Sequence, residues 1–498
     1  NMLFNSFEFL IFFPVVIGVY YIIPKKLRQM WLLVASYYFY MCWNAKYAIL
    51  IFGITLLSFL GGKALARMTG EDEAALAKRK RRLFVVCAGL IIGILLLFKY
   101  LDFTRDNINR FLQLIGSSVS ISTAFSLVLP VGISFYTFQA LGYLIDVYRG
   151  DVQAEENFAK YALFVSFFPQ LVAGPIERSK NLLNQLGEPK DFDYERARNG
   201  LLLMLWGFFE KMWIADTAAI YVNKMYDNYW EYSSGALVVA TVFFAIQIYC
   251  DFSGYSHIAI GAAQVLGVRL MDNFRQPYFA TGIKDFWRRW HISLSTWFRD
   301  YVYIPLGGSR CSKLKTYRNL MITFLVSGLW HGANWTYVLW GGLHGAYQVI
   351  GAVTLPYRTR LRQFLHIKDT WKLYKLGQMI ITFFLCDLAW LFFRAESVSQ
   401  AVAILRHMCS PSVPEQLLNL TTYTTGLSLV QLYRLFFAII VLLIVGILHE
   451  HGVHIREWFC KQNVLFRWTC YVVLLTGFCL LIIQEFGGAA AEFIYFQF

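Results

Sequence analysis

Residues 285–310 read DFWRRWHISLSTWFRDYVYIPLGGSR, and the same stretch closes at 324–335 with FLVSGLWHGANW. It holds two histidines. His291 follows Trp287, Arg288, Arg289 and Trp290, a wrapper of rings and cations, and His331 ends the apolar run FLVSGLW. An ionisable side chain in an apolar run of membrane character is costly to place and asks for a function. The first histidine lies in the most cationic loop of the chain and the second at membrane depth. Together they point to a site that runs from a charged aqueous face into a bilayer.

The composition around that stretch agrees. The 498 residues are 57% hydrophobic and 15% charged, against about 45–50% and about 25% for a soluble domain. The length is therefore filled by membrane spans rather than soluble domains. Aromatic residues reach 18%, with 30 Tyr and 15 Trp, the residues that favour membrane interfaces. The net charge of +14 is concentrated in loops, as the positive-inside rule requires. No soluble basic domain is present to hold a nucleic acid. Nine cysteines show no CxxC spacing, which argues against a zinc site or a disulfide framework.

Taken in order, residues 7–23 form a retained first span, followed by Lys25, Lys26 and Arg28. Residues 29–43 and 46–61 form a hairpin of short spans. The run KRKRR at 78–82 marks a cytoplasmic loop, which puts the N-terminus outside. Residues 83–99 form the next span, 100–123 a polar, interfacial segment outside, and 124–147 a span carrying Pro130 and Gly132. Residues 158–172 are short for a span and read as re-entrant. Residues 199–222 form a span that holds Glu210 and Lys211. Residues 236–267 read as two apolar halves broken at Asp251, Ser253, Gly254, Ser256 and His257; broken helices survive at membrane depth only where they line a cavity or lie buried in protein. Residues 268–318 carry ten Lys and Arg against three Asp and read as cytoplasmic, with 286–306 dipping into the membrane. Residues 319–330 and 335–354 form a hairpin with His331 near its turn. Spans at 377–393, 431–449 and 466–485 follow, and the apolar tail FIYFQF at 493–498 packs on the body. No internal repeat is visible, which weighs against a transporter with proton-relay histidines.

A histidine of near-neutral pKa suits general-base work. At His331 that means deprotonating an acceptor hydroxyl so that it attacks an acyl carbonyl. Asn334 can hold the imidazole or an oxyanion, and Gly328 and Gly332 permit close backbone approach. The alternative is a buried histidine that bonds a neighbouring helix. Arg288, Arg289, Arg299, Arg310, Lys313, Lys315 and Arg318 form a cationic mouth, suited to a CoA thioester or an acidic carrier protein. On charge alone, topology and contact with anionic membrane lipid explain the same residues. His291 either polarises the donor thioester on the cytoplasmic side of the same tunnel or braces Trp287 and Trp290. The first role requires both imidazoles to open onto one cavity. His344, His407, His449, His451 and His454 read as structural, and HEHGVH at 449–454 lacks a catalytic partner for a metal.

FPQLVAGPIER (168–178), DFSGYSHIAIG (251–261), NFRQPYFATGIKDFWRRWHISLSTWFRDYVYIPLGG (273–308), SGLWHGANWTYVLWGGLHG (327–345) and the terminal FIYFQF resemble motifs of the membrane-bound O-acyltransferase (MBOAT) superfamily. The resemblance covers nearly the whole chain. It is nearest the bacterial alginate and peptidoglycan O-acetyltransferase branch, with the teichoic acid D-alanyl transferase as a cousin. It implies an all-α polytopic membrane protein in one integral domain over 1–498, with core motifs at about 125–355 and C-terminal helices at about 373–498. The fold is funnel-shaped and thin at the active site, with about 11–13 membrane helices plus re-entrant helices around a central tunnel.

By resemblance His331 is the catalytic histidine and His291 the second. Asn334, Trp330, Arg288, Arg289, Trp290, Arg299, Asp251 and Ser253 are the substrate-binding or supporting residues, and no metal or bound cofactor is expected. Acetyl-CoA is the expected donor, an acyl carrier protein the alternative. An SGNH-type extracytoplasmic acetyltransferase is the expected partner, and a bacterial cytoplasmic membrane the location. His257 departs from the pattern, which commonly has Asp there.

Overall fold

In a bilayer no backbone amide can be left unpaired, so apolar runs fold as helices. A computed structural model of the chain describes residues 2–122, 129–172, 174–485 and 493. Helix is the regular structure throughout the described residues. Helix α1 (Phe7–Ile22) starts at Ser6, whose hydroxyl accepts from the Phe9 amide. The expected hairpin is α2 (Lys25–Met41) and α3 (Ala48–Arg67), joined by a 3₁₀ turn at Ala45–Tyr47.

Helix α4 (Glu73–Leu114) is one rod of 42 residues. The span expected to stop at 99 instead continues through the polar residues, because a helix carries charges that pair along its own surface. Arg105 bonds Asp102 at 2.9 Å and Asp106 at 2.8 Å. The span expected at 124–147 begins only at α5 (Ile133–Arg149). Pro130 and Gly132 precede that helix, and residues 123–128 lie outside the described residues. Gly132 has φ of 73° with the Leu171 carbonyl packed against its Cα, a place only glycine fills comfortably.

The short helices α6 (Phe158–Ser166) and α7 (Phe168–Leu171) are buried inside the protein. After α8 (Ser179–Leu186), α9 (Tyr194–Phe208) runs through a π-helical turn at Phe209–Ala215 into α10 (Asp216–Asp227). Helix α11 (Ser234–Val265) is continuous over 32 residues, which corrects the expected break at 251–257. Its polar side chains do not interrupt the backbone ladder because the π turn answers them sideways. Lys211 pairs with Asp251 at 2.7 Å and Asp216 at 2.8 Å. Glu210 accepts from Ser253 Oγ at 2.9 Å and meets His257 Nδ1 at 2.6 Å. Gly200 and Gly207 face Gly261 and Gly254 so closely that a Cβ on any of them would strike the opposite backbone. This is the small-residue seam that membrane helices use in place of a hydrophobic driving force.

The chain continues through α12 (Ile283–Arg289), α13 (Ile292–Phe298) and a π turn at Arg299–Tyr303 to the hairpin of α14 (Lys313–His331) and α15 (Trp335–Phe364). Gly328 and Gly341 bring its two backbones together. Helix α16 (Lys372–Arg394) follows, then α17 (Val398–Met408), α18 (Val413–Leu418), α19 (Leu420–Thr424), α20 (Leu429–Glu450), α21 (Ile455–Cys460) and α22 (Val464–Glu485). Among the described residues five segments are long and apolar enough to cross a membrane: Ala45–Arg67, Glu73–Leu114, Ser234–Val265, Lys372–Arg394 and Leu429–Glu450. Phe7–Ile22 and Val464–Leu480 are shorter apolar helices. Of FIYFQF only Phe493 falls within the described residues. It is buried against Tyr255 and Phe252, with ring centres 4.4 and 5.7 Å away.

Candidate active site

His331 is the last residue of α14. Its Nδ1 lies 2.7 Å from the Ser327 carbonyl one turn back. A carbonyl only accepts, so Nδ1 carries the proton and the lone pair of the neutral ring is on Nε2. Rings hold the imidazole on three sides: Trp340 at 4.8 Å, Trp330 at 5.0 Å and Phe393 at 5.5 Å between centres. Gly332 continues in extended conformation, and Asn334 starts α15. A cavity opens beside His331, lined by Lys99, residues 129–135, Val172 and Trp330.

Asn334 does not reach the imidazole. Its carbonyl oxygen accepts from the Thr336 amide at 3.1 Å and its amide donates to the Glu396 carbonyl at 2.8 Å. It is the N-cap of α15, which fixes the turn and so His331 indirectly.

His291 is fully buried and has φ of 42°, an uncommon conformation outside glycine. Asn273 holds it there: Asn273 Oδ1 accepts from His291 Nδ1 at 3.1 Å and Ser293 Oγ at 2.9 Å, and Asn273 Nδ2 donates to Ser256 Oγ at 3.1 Å. His291 Nε2 is buried without a hydrogen-bond partner. Backbone strain beside an unsatisfied ring nitrogen is characteristic of functional sites. Trp330 touches both histidines, 6.1 Å from His291 and 5.0 Å from His331. The cavity wall at this point is Trp330, and His291 stands behind it. His291 is not among the residues that line this cavity, so the cavity beside His331 is not lined by both imidazoles.

The remaining candidates separate. Trp290 is a core ring, 4.9 Å from Trp390 and 5.1 Å from Phe274. Asp251 and Ser253 belong to the buried ion cluster on the π turn, not to the cavity. Arg289 is engaged by Asp285 at 3.1 Å and Glu450 at 2.5 Å, and Arg299 by Asp300 at 2.8 Å. Arg288, Arg310, Lys313 and Lys315 are exposed. His257, the departure from the common Asp, faces Glu210. A carboxylate there would meet a carboxylate, which an imidazole avoids. His449, in the HEHGVH run at the end of α20, bonds Gln276 at 3.1 Å.

The sequence reading did not single out Lys99, Tyr100 or Asn273. Lys99 Nζ donates to the carbonyls of Trp330 at 2.5 Å and His331 at 3.2 Å and to Ser134 Oγ at 3.3 Å, and the Tyr100 hydroxyl donates to the Leu329 carbonyl. The signal for Lys99 was available: it is the lone cation closing the apolar run at 83–99.

A buried, tautomer-fixed imidazole on a cavity wall, in an all-helical membrane body, fits acyl transfer to a hydroxyl. Comparison with known proteins gives the family. The model of the family described as MBOAT, membrane-bound O-acyltransferase family, matches residues 154–393. The "Probable alginate O-acetylase AlgI" of Pseudomonas aeruginosa is 38% identical over 410 residues, covering 82% of this chain and 75% of that protein. The peptidoglycan O-acetyltransferase of Helicobacter pylori is 36% identical over 442 residues, covering 82% and 80%. The teichoic acid D-alanyltransferase of Bacillus subtilis is 27% identical over 280 residues, covering 52% and 66%. On that similarity and this architecture, the chain belongs to the membrane-bound O-acyltransferase family and is an O-acyltransferase.

Proposed function

We propose that this chain takes an acetyl group from acetyl-CoA on the cytoplasmic side of a bacterial cytoplasmic membrane and passes it outward to a polysaccharide or cell-wall glycan, through an SGNH-type partner. One observation carries the direction. Helix α14 begins at Lys313, Lys315 and Arg318 and ends at His331, about 20 Å beyond Arg318 at ~1.5 Å per residue. Helix α4 repeats the pattern, from KRKRR at 78–82 to Lys99. If basic ends face the cytoplasm, His331 and its cavity lie toward the other face. The acetylase and acetyltransferase names of the nearer relatives support acetyl as the group moved.

In this account His331 Nε2 takes the proton of an acceptor hydroxyl, and the oxygen attacks the acyl carbonyl. The C–S bond breaks, and the thiolate leaves with the proton that the imidazolium returns. His291 does not meet the donor; bonded to Asn273 and packed against Trp330, it holds that wall of the cavity in place. His291→Gln, which keeps a donor, is expected to retain part of the turnover and His291→Leu to lose most of it. Equal turnover in the two variants, measured on purified protein, counts against the role.

Sidedness has its own check. Ser309 is exposed in the basic 268–318 segment. A cysteine placed there is expected to resist an impermeant maleimide added to intact cells and to react after permeabilisation. Efficient labelling in intact cells reverses the topology.

The donor is tested by thiol release from acetyl-CoA or from an acetylated carrier protein, with the extracytoplasmic partner and glycan acceptor present. Acceptor-dependent release from acetyl-CoA is expected. Release from the carrier protein alone selects the runner-up, D-alanyl or other acyl transfer to teichoic acid. Release from neither, with proton flux instead, selects a transporter.

A further inference from the structure

We propose that Lys99 is a positioning residue for acyl transfer: it fixes the carbonyl end of α14 under His331 and supplies the positive charge of the cavity wall. The inference rests on the reading of His331 as base. The last carbonyls of any helix lack partners within the helix and must be answered from outside. A glycine in left-handed conformation commonly does this, but Gly332 is extended with φ of −165°. The answer comes from α4. Lys99 donates to the carbonyls of Trp330 and His331, and Tyr100 donates to that of Leu329. The third proton of the ammonium goes to Ser134 at the start of α5. One side chain thereby ties α4, α5 and α14 together at the residue that bears the base. A cation also complements the negative end of the α14 dipole, and Lys99 Nζ sits 5.7 Å from the centre of the Trp330 ring.

A cap alone would not need a lysine, since the tyrosine hydroxyl beside it performs the same bonding with no charge to desolvate. Among the described residues no carboxylate pairs with Lys99, although the buried Lys211 has two. Lys99 lines the same cavity as His331. With its three protons engaged by the cap and Ser134, the ammonium acts on an oxyanion developing in that cavity through its charge and not as a donor.

The experiment compares Lys99→Met, Lys99→Gln, Lys99→Arg, Tyr100→Phe and His331→Ala in purified protein. It measures kcat, the donor KM and the melting temperature in detergent. Lys99→Met and Lys99→Gln are expected to lower kcat on the order of 10²-fold, as misplacement of a catalytic group by about 1 Å does, with the donor KM little changed. Lys99→Arg is expected to recover much of that loss. Tyr100→Phe removes a cap without a charge and is expected to lower the melting temperature more than kcat. The proposal is overturned if Lys99→Gln turns over like wild type, if Tyr100→Phe costs as much kcat as Lys99→Gln, or if even Lys99→Arg prevents folding. An active His331→Ala overturns the base assignment itself. An inactive His331→Ala beside a fully active Lys99→Gln removes the proposal and leaves the base in place.

Discussion

His331→Ala is expected to abolish product acylation and to leave the protein folded and inserted. Loss of a general base costs on the order of 10²–10⁴ in rate, and in the proposed mechanism the same residue both takes and returns the proton. Folding is spared because the ring sits at the end of the α14–α15 hairpin, beyond the Gly328–Gly341 contact that closes it. Trp340, Trp330 and Phe393 pack on other partners as well, Trp390 and Tyr337 among them. The fixed Nδ1–Ser327 bond supplies a control. His331→Gln can keep a donor toward the Ser327 carbonyl but has no basic nitrogen, so it is expected to be as inactive as the alanine variant. Activity near wild type in either variant, assayed on protein with an unchanged elution profile, removes His331 from the mechanism.

The second large effect concerns stability. Lys211→Met is expected to cost about 3–5 kcal/mol, the range for removing one partner of a buried ion pair. Lys211 is 1% exposed in its side chain, between Asp216 at 5% and Asp251 at 3%. Taking the cation away leaves two carboxylates together in a site that cannot hydrate them. The loss is measured as a drop in melting temperature and in detergent-extracted yield. The triple change Lys211→Met, Asp216→Asn, Asp251→Asn removes the charges together and is expected to recover most of the stability, because networks replaced whole are often neutral. A single variant as stable as wild type would mean that the carboxylates are already protonated or hydrated. It would also remove the ion cluster as the reason α11 tolerates its polar face.

The sequence made much of this legible where the signal is local. Hydropathy and the polar turn at 331–334 locate the α14–α15 hairpin with His331 at its end, and α2 and α3 follow in the same way. The failures share a cause. Residues 251–257 look like a break because Asp251, Ser253 and His257 are polar, yet their partners, Glu210 and Lys211, lie some 40 residues earlier. A helix satisfies its own backbone, so polar side chains alone do not end it. Arg289 reads as a donor-binding cation, but Glu450, 161 residues on, holds it. Asn334 reads as a partner of His331 because it is three residues away; its side chain is instead taken by a helix cap, which short polar residues at a helix start usually provide. Lys99 lies 232 residues from the His331 carbonyl it bonds. Charge and hydropathy report what each segment avoids, and they are silent on which distant group answers it.

In the proposed function donor and acceptor meet at His331 from opposite faces of the membrane. Sealed inverted vesicles that contain the chain, its extracytoplasmic partner and a lumenal glycan test it when given acetyl-CoA labelled in the acetyl group on the outside. Label is expected on the lumenal glycan, protected from external glycan hydrolases and absent with His331→Ala. Label found only on glycan added outside, on the same face as the donor, would contradict it.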